Sequence, residues 1–328
     1  MPVMTAVPAV REPARLLYPL FAALAMLVLA ASAQASPLAT PAELSVRLSD
    51  PALRVIDIRD GKDDTGKTPF ERGHIAGSLP APYSKWRGPK DNPGALPSKD
   101  ALTALVQSLG ITATTPVAIV YAGANSTDFG AAARAYWTLK AAGVKELTIL
   151  NGGIKAWTAA GLPLSADAPR AVARSDFTVT LDPALVATRA DVERALGGIT
   201  LLLDARPPAF FNGETRHAAA KQPGTIAGAK NVDNAVWFAP NGTLLPKPQV
   251  RQVAQAHALD LSQPTVSFCN TGHWAATNWF VLSEVLGQKD VKLYPESIVD
   301  WSKSGGAMDN VPSRLQQFWM QIRDALAG

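Results

Sequence analysis

The chain has 328 residues, 31 Lys and Arg against 27 Asp and Glu, and a formal net charge of +4. That mild excess, with no dense Lys/Arg run, excludes a nucleic-acid-binding class. The length suffices for about two ordinary domains with proper cores, and a single cysteine, Cys269, excludes any intrachain disulfide.

The first element is a targeting segment. Arg11 and Arg15 precede an apolar run from Leu16 to Ala33, and Ala33-Gln34-Ala35 matches the small-x-small pattern of a signal-peptidase site. Residues 1–35 therefore read as a signal peptide, with an uncleaved membrane anchor as the alternative. Cleavage leaves a mature chain that starts at Ser36, carries +3, has no further membrane segment and is expected in the periplasm or outside the cell. An exported protein usually pairs its cysteines. The unpaired Cys269 suggests either a reactive sulfur or an intermolecular bridge.

From residue 40 onward, short apolar runs alternate with helical patterns. "RVIDI", "VAIVY" and "ELTIL" come first, and "TLLLD", "TVSFC" and "VKLY" follow after a break. Continuous apolar runs of this length are strands buried on both faces, as in a parallel sheet covered by helices. "AAARAYWTLKAAG" and "WAATNWFVLSEVLG" read as helices that stop at glycine. Between the two sets, "GLPLSADAPRAVARSD" is rich in Pro, Ala and charge, which places a linker at 166–176. The units are then 40–165 and 177–306. The tail from 307 to 328 shows helical periodicity, with Leu315, Phe318, Trp319 and Ile322 on one side.

The two units are copies. "LRVIDIRD" is echoed by "TLLLDARP", "GHIAGSLP" by "GTIAGAKN", "PVAIVYAGA" by "PTVSFCNTG", and "LTILNGGIKAWTAAG" by "VKLYPESIVDWSKSG". The offset runs only from 142 (Trp137 to Trp279) to 151 (Trp86 to Trp237). Asp57 and Arg59 answer Asp204 and Arg206. The paired tryptophans, Trp157 and Trp301 among them, are core candidates.

Cys269 ends a strand at the sheet edge where open α/β folds gather ligands. The turn that follows, "NTGH", leads into a helix, and Gly272 lets the backbone curl tightly. Amides of such a turn and a helix N-terminus favour thiolate over thiol. A small buried hydrophobe is the other reading of a lone cysteine. The first copy has Tyr121 at the matching place, so one copy carries the thiol and its sibling none.

With these segments in order, the chain resembles a tandem-domain rhodanese, the thiosulfate/3-mercaptopyruvate sulfurtransferase family. "DIR", "GHIAGS" and "NGGIKAWTAAGLPL" carry the likeness in the first copy, and "DAR", "GTIAGA" and "CNTGHW" in the second. The resemblance implies an α/β fold of two tandem rhodanese-like domains, each a mainly parallel sheet flanked by helices, the first non-catalytic. It implies a Cys269 nucleophile that takes sulfur from a small anionic donor such as thiosulfate and passes it to cyanide or a thiol, a protein thiol included. The amides of Asn270, Thr271, Gly272, His273 and Trp274 would cradle the persulfide, and Asp204 and Arg206 would frame the site. No cofactor or metal is implied.

Three places depart from the family pattern. Asn270 and Thr271 stand where thiosulfate-preferring members carry cations, Trp274 stands where a hydroxyl residue usually ends the loop, and "PPAFF" stands where a substrate arginine is usual. Replacement cations for donor binding are His273, Arg216, His217 and Lys221. A Cys-x5-Arg phosphatase is excluded because the sixth residue after Cys269 is Ala275. Copper or zinc on Cys269 and His273 would have only two ligands. A non-catalytic periplasmic persulfide carrier or sulfur-compound binding protein is the rival function.

Overall fold

The computed structural model describes Val3, residues 36–313, Leu315 and Gln316. The expected signal peptide and most of the expected C-terminal helix lie outside the described residues. Every element lies in the unit that begins at Ser36.

The first copy runs β1 (Leu38–Ala39), α1 (Pro41–Arg47), β2 (Arg54–Asp57), α2 (Pro69–Arg72), β3 (Leu79–Pro80), α3 (Lys99–Ser108), β4 (Val117–Val120), α4 (Ser126–Ala141), β5 (Leu147–Leu150) and α5 (Gly153–Ala159). Its five strands form one sheet in the order β1-β5-β4-β2-β3, and every pairing is parallel. All residues of β4 and β5 are buried, as continuous apolar runs require of strands covered on both faces. Capping boxes of Thr40 with Glu43 and Thr68 with Glu71, each followed by proline, start α1 and α2.

The second copy repeats the plan with α6 (Arg189–Ala195), β6 (Leu201–Asp204), α7 (Pro208–Phe211), β7 (Thr225–Ile226), β8 (Lys230–Asn231), α8 (Lys247–Ala256), β9 (Thr265–Phe268), α9 (Trp274–Phe280), β10 (Val291–Leu293), α10 (Ser297–Ser304) and β11 (Met308–Asp309). Its sheet, β10-β9-β6-β8, is also parallel. Val186 bridges Leu293 at the edge that β1 fills in the first copy. All six paired tryptophans, Trp86, Trp137, Trp157, Trp237, Trp279 and Trp301, are buried.

Two expectations change. The tail does not open as a helix, because Met308 and Asp309 form β11, antiparallel to Ile226 and Thr225 of β7. Nor is the second catalytic-copy helix regular. After Phe280 it passes into a wider turn over Val281–Val285, with the Leu286 amide donating to the Val281 carbonyl at 2.9 Å. The linker is not free: the Arg174 side chain donates to the Gln107 side chain, and the Ser175 amide donates to the Gln107 carbonyl.

The copies meet along α4 and α9. Phe280 takes Tyr136 edge-on at 5.0 Å and Phe129 at 5.5 Å. Beside this apolar seam, Glu284 accepts from the Tyr136 hydroxyl at 2.8 Å and pairs with Lys140 at 2.7 Å. Truncation would leave the buried Tyr136 hydroxyl unpaired and remove an ion pair whose carboxylate is buried and whose ammonium is half-exposed. Glu284→Ala should therefore lower the unfolding free energy by about 2 kcal/mol, measured by urea titration against wild type.

Candidate active site

Cys269 follows the last residue of β9 and is only 1% exposed. Four bonds shape the turn after it. The Ser267 hydroxyl donates to the Ala275 carbonyl at 2.9 Å, drawing the first turn of α9 back onto the strand. The Ser297 hydroxyl accepts the amides of Cys269 and Gly272, both at 3.1 Å, and donates to the Tyr294 carbonyl. To do this Ser297 stands at φ +54°, a left-handed conformation that costs a residue with a Cβ. The matching residue of the first copy is Gly153, at φ +58°. Gly272 has no alternative: at φ +67°, a Cβ would lie 2.4 Å from the Pro295 carbonyl and 2.5 Å from Arg134 Nη1.

With Gly272 and Cys269 committed to Ser297, the amides of Asn270, Thr271, His273 and Trp274 donate to no acceptor among the described residues. Main-chain amides near a buried group are nearly always paired. Those of His273 and Trp274 are free as at any helix start, and with those of Asn270 and Thr271 they make a turn that can receive an anion.

Two guanidinium groups hold this loop. Arg206 chelates Asp204 through Nε at 2.9 Å and Nη2 at 2.5 Å, and donates to the Gly224 carbonyl at 2.8 Å. Its remaining nitrogen, Nη1, reaches the Asn270 side chain at 3.3 Å. Arg59 repeats the chelation of Asp57 and the bond to Gly73 in the first copy, without any reach to a loop. The second guanidinium is Arg134, from α4 of the first copy, fully buried. It donates to Gly272 O at 3.2 Å, Thr271 O at 3.4 Å, Gly94 O at 2.8 Å and Ala95 O at 3.2 Å. Burial, and then the neighbouring Arg87 charge, pull its pKa down to about 9, so it remains a cation at neutral pH. Cys269 lies within its field.

His273 is not the loop cation expected from the sequence. Its Nε2 contacts the Thr127 carbonyl and its Nδ1 the Tyr83 hydroxyl, both at 2.8 Å. A carbonyl only accepts, so Nε2 carries the proton and Nδ1 accepts from Tyr83. Tyr83 in turn accepts from Arg87 at 3.0 Å. Burial, then the Arg87 charge, press His273 to a pKa of about 4, and it is neutral. Trp274 is tied to Thr127 Oγ1 at 3.0 Å and meets Phe210 edge-on at 5.8 Å. Arg216 curls onto its own loop, donating to Ala220 O at 2.8 Å. The Lys221 side chain is exposed. His217 is half-buried, and burial, then the charges of Arg87 and Lys303, lower its pKa. Arg134, Arg87, Tyr83 and Ser297 are thus the residues the sequence reading missed.

The first copy's equivalent turn is closed from within. Tyr121 replaces the thiol, the Ala124 amide donates to Asp128 at 2.8 Å, and the Asp128 amide donates to the Asn125 side chain. A resident carboxylate occupies the place of an incoming anion.

The Rhodanese-like domain model matches twice, over residues 40–160 and 188–304. The chain belongs to the rhodanese family. Among its relatives, a Mycobacterium bovis protein provisionally named thiosulfate sulfurtransferase 1 is 31% identical, covering 74% of this chain and 88% of its own. The sulfur carrier protein TtuD of Thermus thermophilus is 28% identical, covering 79% and 91%. Among solved structures, the 3-mercaptopyruvate sulfotransferase SseA from Escherichia coli superposes with a TM-score of 0.68 at 23% identity, over 80% of this chain and 98% of that one. The likeness to SseA concerns the fold. In broad terms, this rhodanese is a sulfurtransferase.

Two outcomes follow from the loop's geometry. Keeping His273 neutral contributes stability that is complete above its ordinary pKa of 6.5 and is lost as pH falls towards about 4, because the unfolded chain binds the proton first. Between pH 7.5 and 5, wild type should lose on the order of 1 kcal/mol more than His273→Asn in urea unfolding. Arg134→Met, which leaves four carbonyls without their donor, should lower stability in urea unfolding and cut sulfur-transfer turnover at least about tenfold. Arg134→Lys, which keeps the charge without the fork, should recover only part of that turnover.

Proposed function

We propose that this rhodanese moves a sulfane sulfur from a small anionic donor to a thiophilic acceptor through a persulfide on Cys269. The observation that carries the reading is the set of four unpaired amides, from Asn270, Thr271, His273 and Trp274, around a strand-end cysteine. In the first half-reaction the thiolate attacks the outer sulfur of thiosulfate. A new S–S bond forms, the old one breaks, and sulfite departs with its electron pair. In the second, cyanide or a thiolate attacks the terminal sulfur and Cys269 leaves as thiolate. This is covalent ping-pong catalysis, with the loop amides serving the terminal sulfur as oxyanion-hole donors serve oxygen.

Each surrounding residue takes a part in this reading. Arg134 is buried, so it positions the loop and offsets negative charge rather than touching the donor. Arg87, half-buried and already bonded to Tyr83, supplies the accessible cation that Asn270 and Thr271 do not, and receives the donor's oxygens together with His217. Arg206 and Asp204 frame the turn through Asn270. Phe210 and Trp274 form an aromatic wall that, with a thiol only 1% exposed, favours small donors. Export of the mature chain, read from residues 1–35, belongs to the same proposal. It would place sulfur transfer outside the cytoplasm, where cyanide disposal is a fitting use.

A second reading, a persulfide carrier loaded by a partner protein, draws on the likeness to a sulfur carrier protein and on the narrow access to Cys269. One experiment separates them. The purified mature protein, given thiosulfate and cyanide, should form thiocyanate, and Cys269→Ser should lose at least about a thousandfold of that rate. Mass spectrometry should find one added sulfur on Cys269 after thiosulfate alone. A persulfide that forms only with a partner protein, and no thiocyanate, would establish the carrier. No sulfur adduct with any donor would end both readings.

A further inference from the structure

The first copy has kept a cleft at the sheet edge where its sibling has the thiol. The cleft holds about 590 Å³ and lies beyond the carboxyl ends of β2 and β4, the position where open α/β sheets bind ligands. Its floor is Tyr121, the counterpart of Cys269, so it can bind but has no nucleophile to react with.

Its charges sort into used and unused groups. Arg59 is chelated by Asp57, and Arg72 is paired with Asp63. Lys155 lines the cleft, is exposed, and has no side-chain partner among the described residues. Asp60 accepts the amides of Gly61 and Ser84 and the Ser84 side chain, and Asp128 accepts the amide of Ala124. A carboxylate has about four acceptor sites, so both acids keep capacity. One free ammonium and two underused carboxylates thus share a space whose remaining wall is largely hydrocarbon, from Ile58, Pro69 and Ile154.

We propose that this cleft binds a small zwitterion of the amino-acid class and that its occupancy is felt by the Cys269 loop. The ligand's carboxylate would meet Lys155, its ammonium Asp60 and Asp128, and its side chain the apolar wall. The path to the thiol is short. Tyr83 and Thr127 line the cleft and also make both ring bonds of His273, which lines it too and adjoins Gly272. A ligand touching these three groups differs in affinity between loop arrangements, and that difference is what shifts an equilibrium. Binding is independent of the sulfur-transfer reading. Only the effect on turnover rests on it.

Calorimetry on the Cys269→Ser protein isolates binding from sulfur chemistry. L-methionine, L-lysine and L-glutamate are the probes, with butylamine and propionate as single-charge controls. At least one amino acid should bind with a Kd of about 1 mM or tighter, with both controls at least about tenfold weaker. Lys155→Ala, an exposed change that spares the fold, should weaken binding about tenfold. The same amino acid should change the KM for thiosulfate of the wild-type protein at least about twofold, and Lys155→Ala should abolish that change. Absence of binding for every probe, or binding untouched by Lys155→Ala, overturns the site. Binding that leaves turnover unaltered overturns the coupling.

Discussion

A buried guanidinium with no carboxylate beside it governs the arrangement of this protein. Arg134 belongs to the first copy, yet two of its four acceptors are carbonyls of the catalytic loop in the second. A desolvated cation is costly unless its donors are met, and here four carbonyls take its two terminal nitrogens while Nε has no hydrogen-bond partner among the described residues. The charge is therefore not neutralised locally. It stays available to the nearby sulfur, while its fork fixes the carbonyl side of the turn. With those carbonyls held by Arg134 and two amides held by Ser297, the remaining amides are left without protein partners.

The duplicated halves show how little separates an open turn with a thiol from a closed one without. Both hold the same Asp–Arg chelate, the same buried tryptophans and the same sheet order around the site strand. The differences are local. Cys269 faces Tyr121, Ser297 faces Gly153, and the open catalytic turn faces one stoppered by Asp128. Ser297 is the subtle member of this set. A hydroxyl at a left-handed position carries a conformational cost that Gly153 avoids, and what it returns is a fixed loop.

Much of this was legible in the sequence, for a physical reason in each case. Strands buried on both faces read as unbroken apolar runs, so β2, β4, β5, β6, β9 and β10 were visible. The two-residue strands β1, β3, β7, β8 and β11 are too short to show any period. Asp204 and Arg206 announced themselves by recurring two residues apart in both copies. Arg134 left only a faint signal, a lone charge inside the apolar run "AAARAYWTLKAAG". Its partners lie 137 and 138 residues away, beyond any local pattern. His273 was misjudged for a related reason. A histidine's charge depends on what surrounds it, and its two ring partners sit 146 and 190 residues distant.

The Arg134 contact has a consequence for heredity. A rhodanese unit standing alone must complete its own loop, whereas this second unit draws part of its scaffolding from a sibling that has Tyr121 in place of the thiol. Severed at the linker, the cysteine-bearing half would lose the strut that shapes its turn. Neither half can then be discarded without cost to the other, which is reason enough for a lineage to go on carrying a copy that has no thiol.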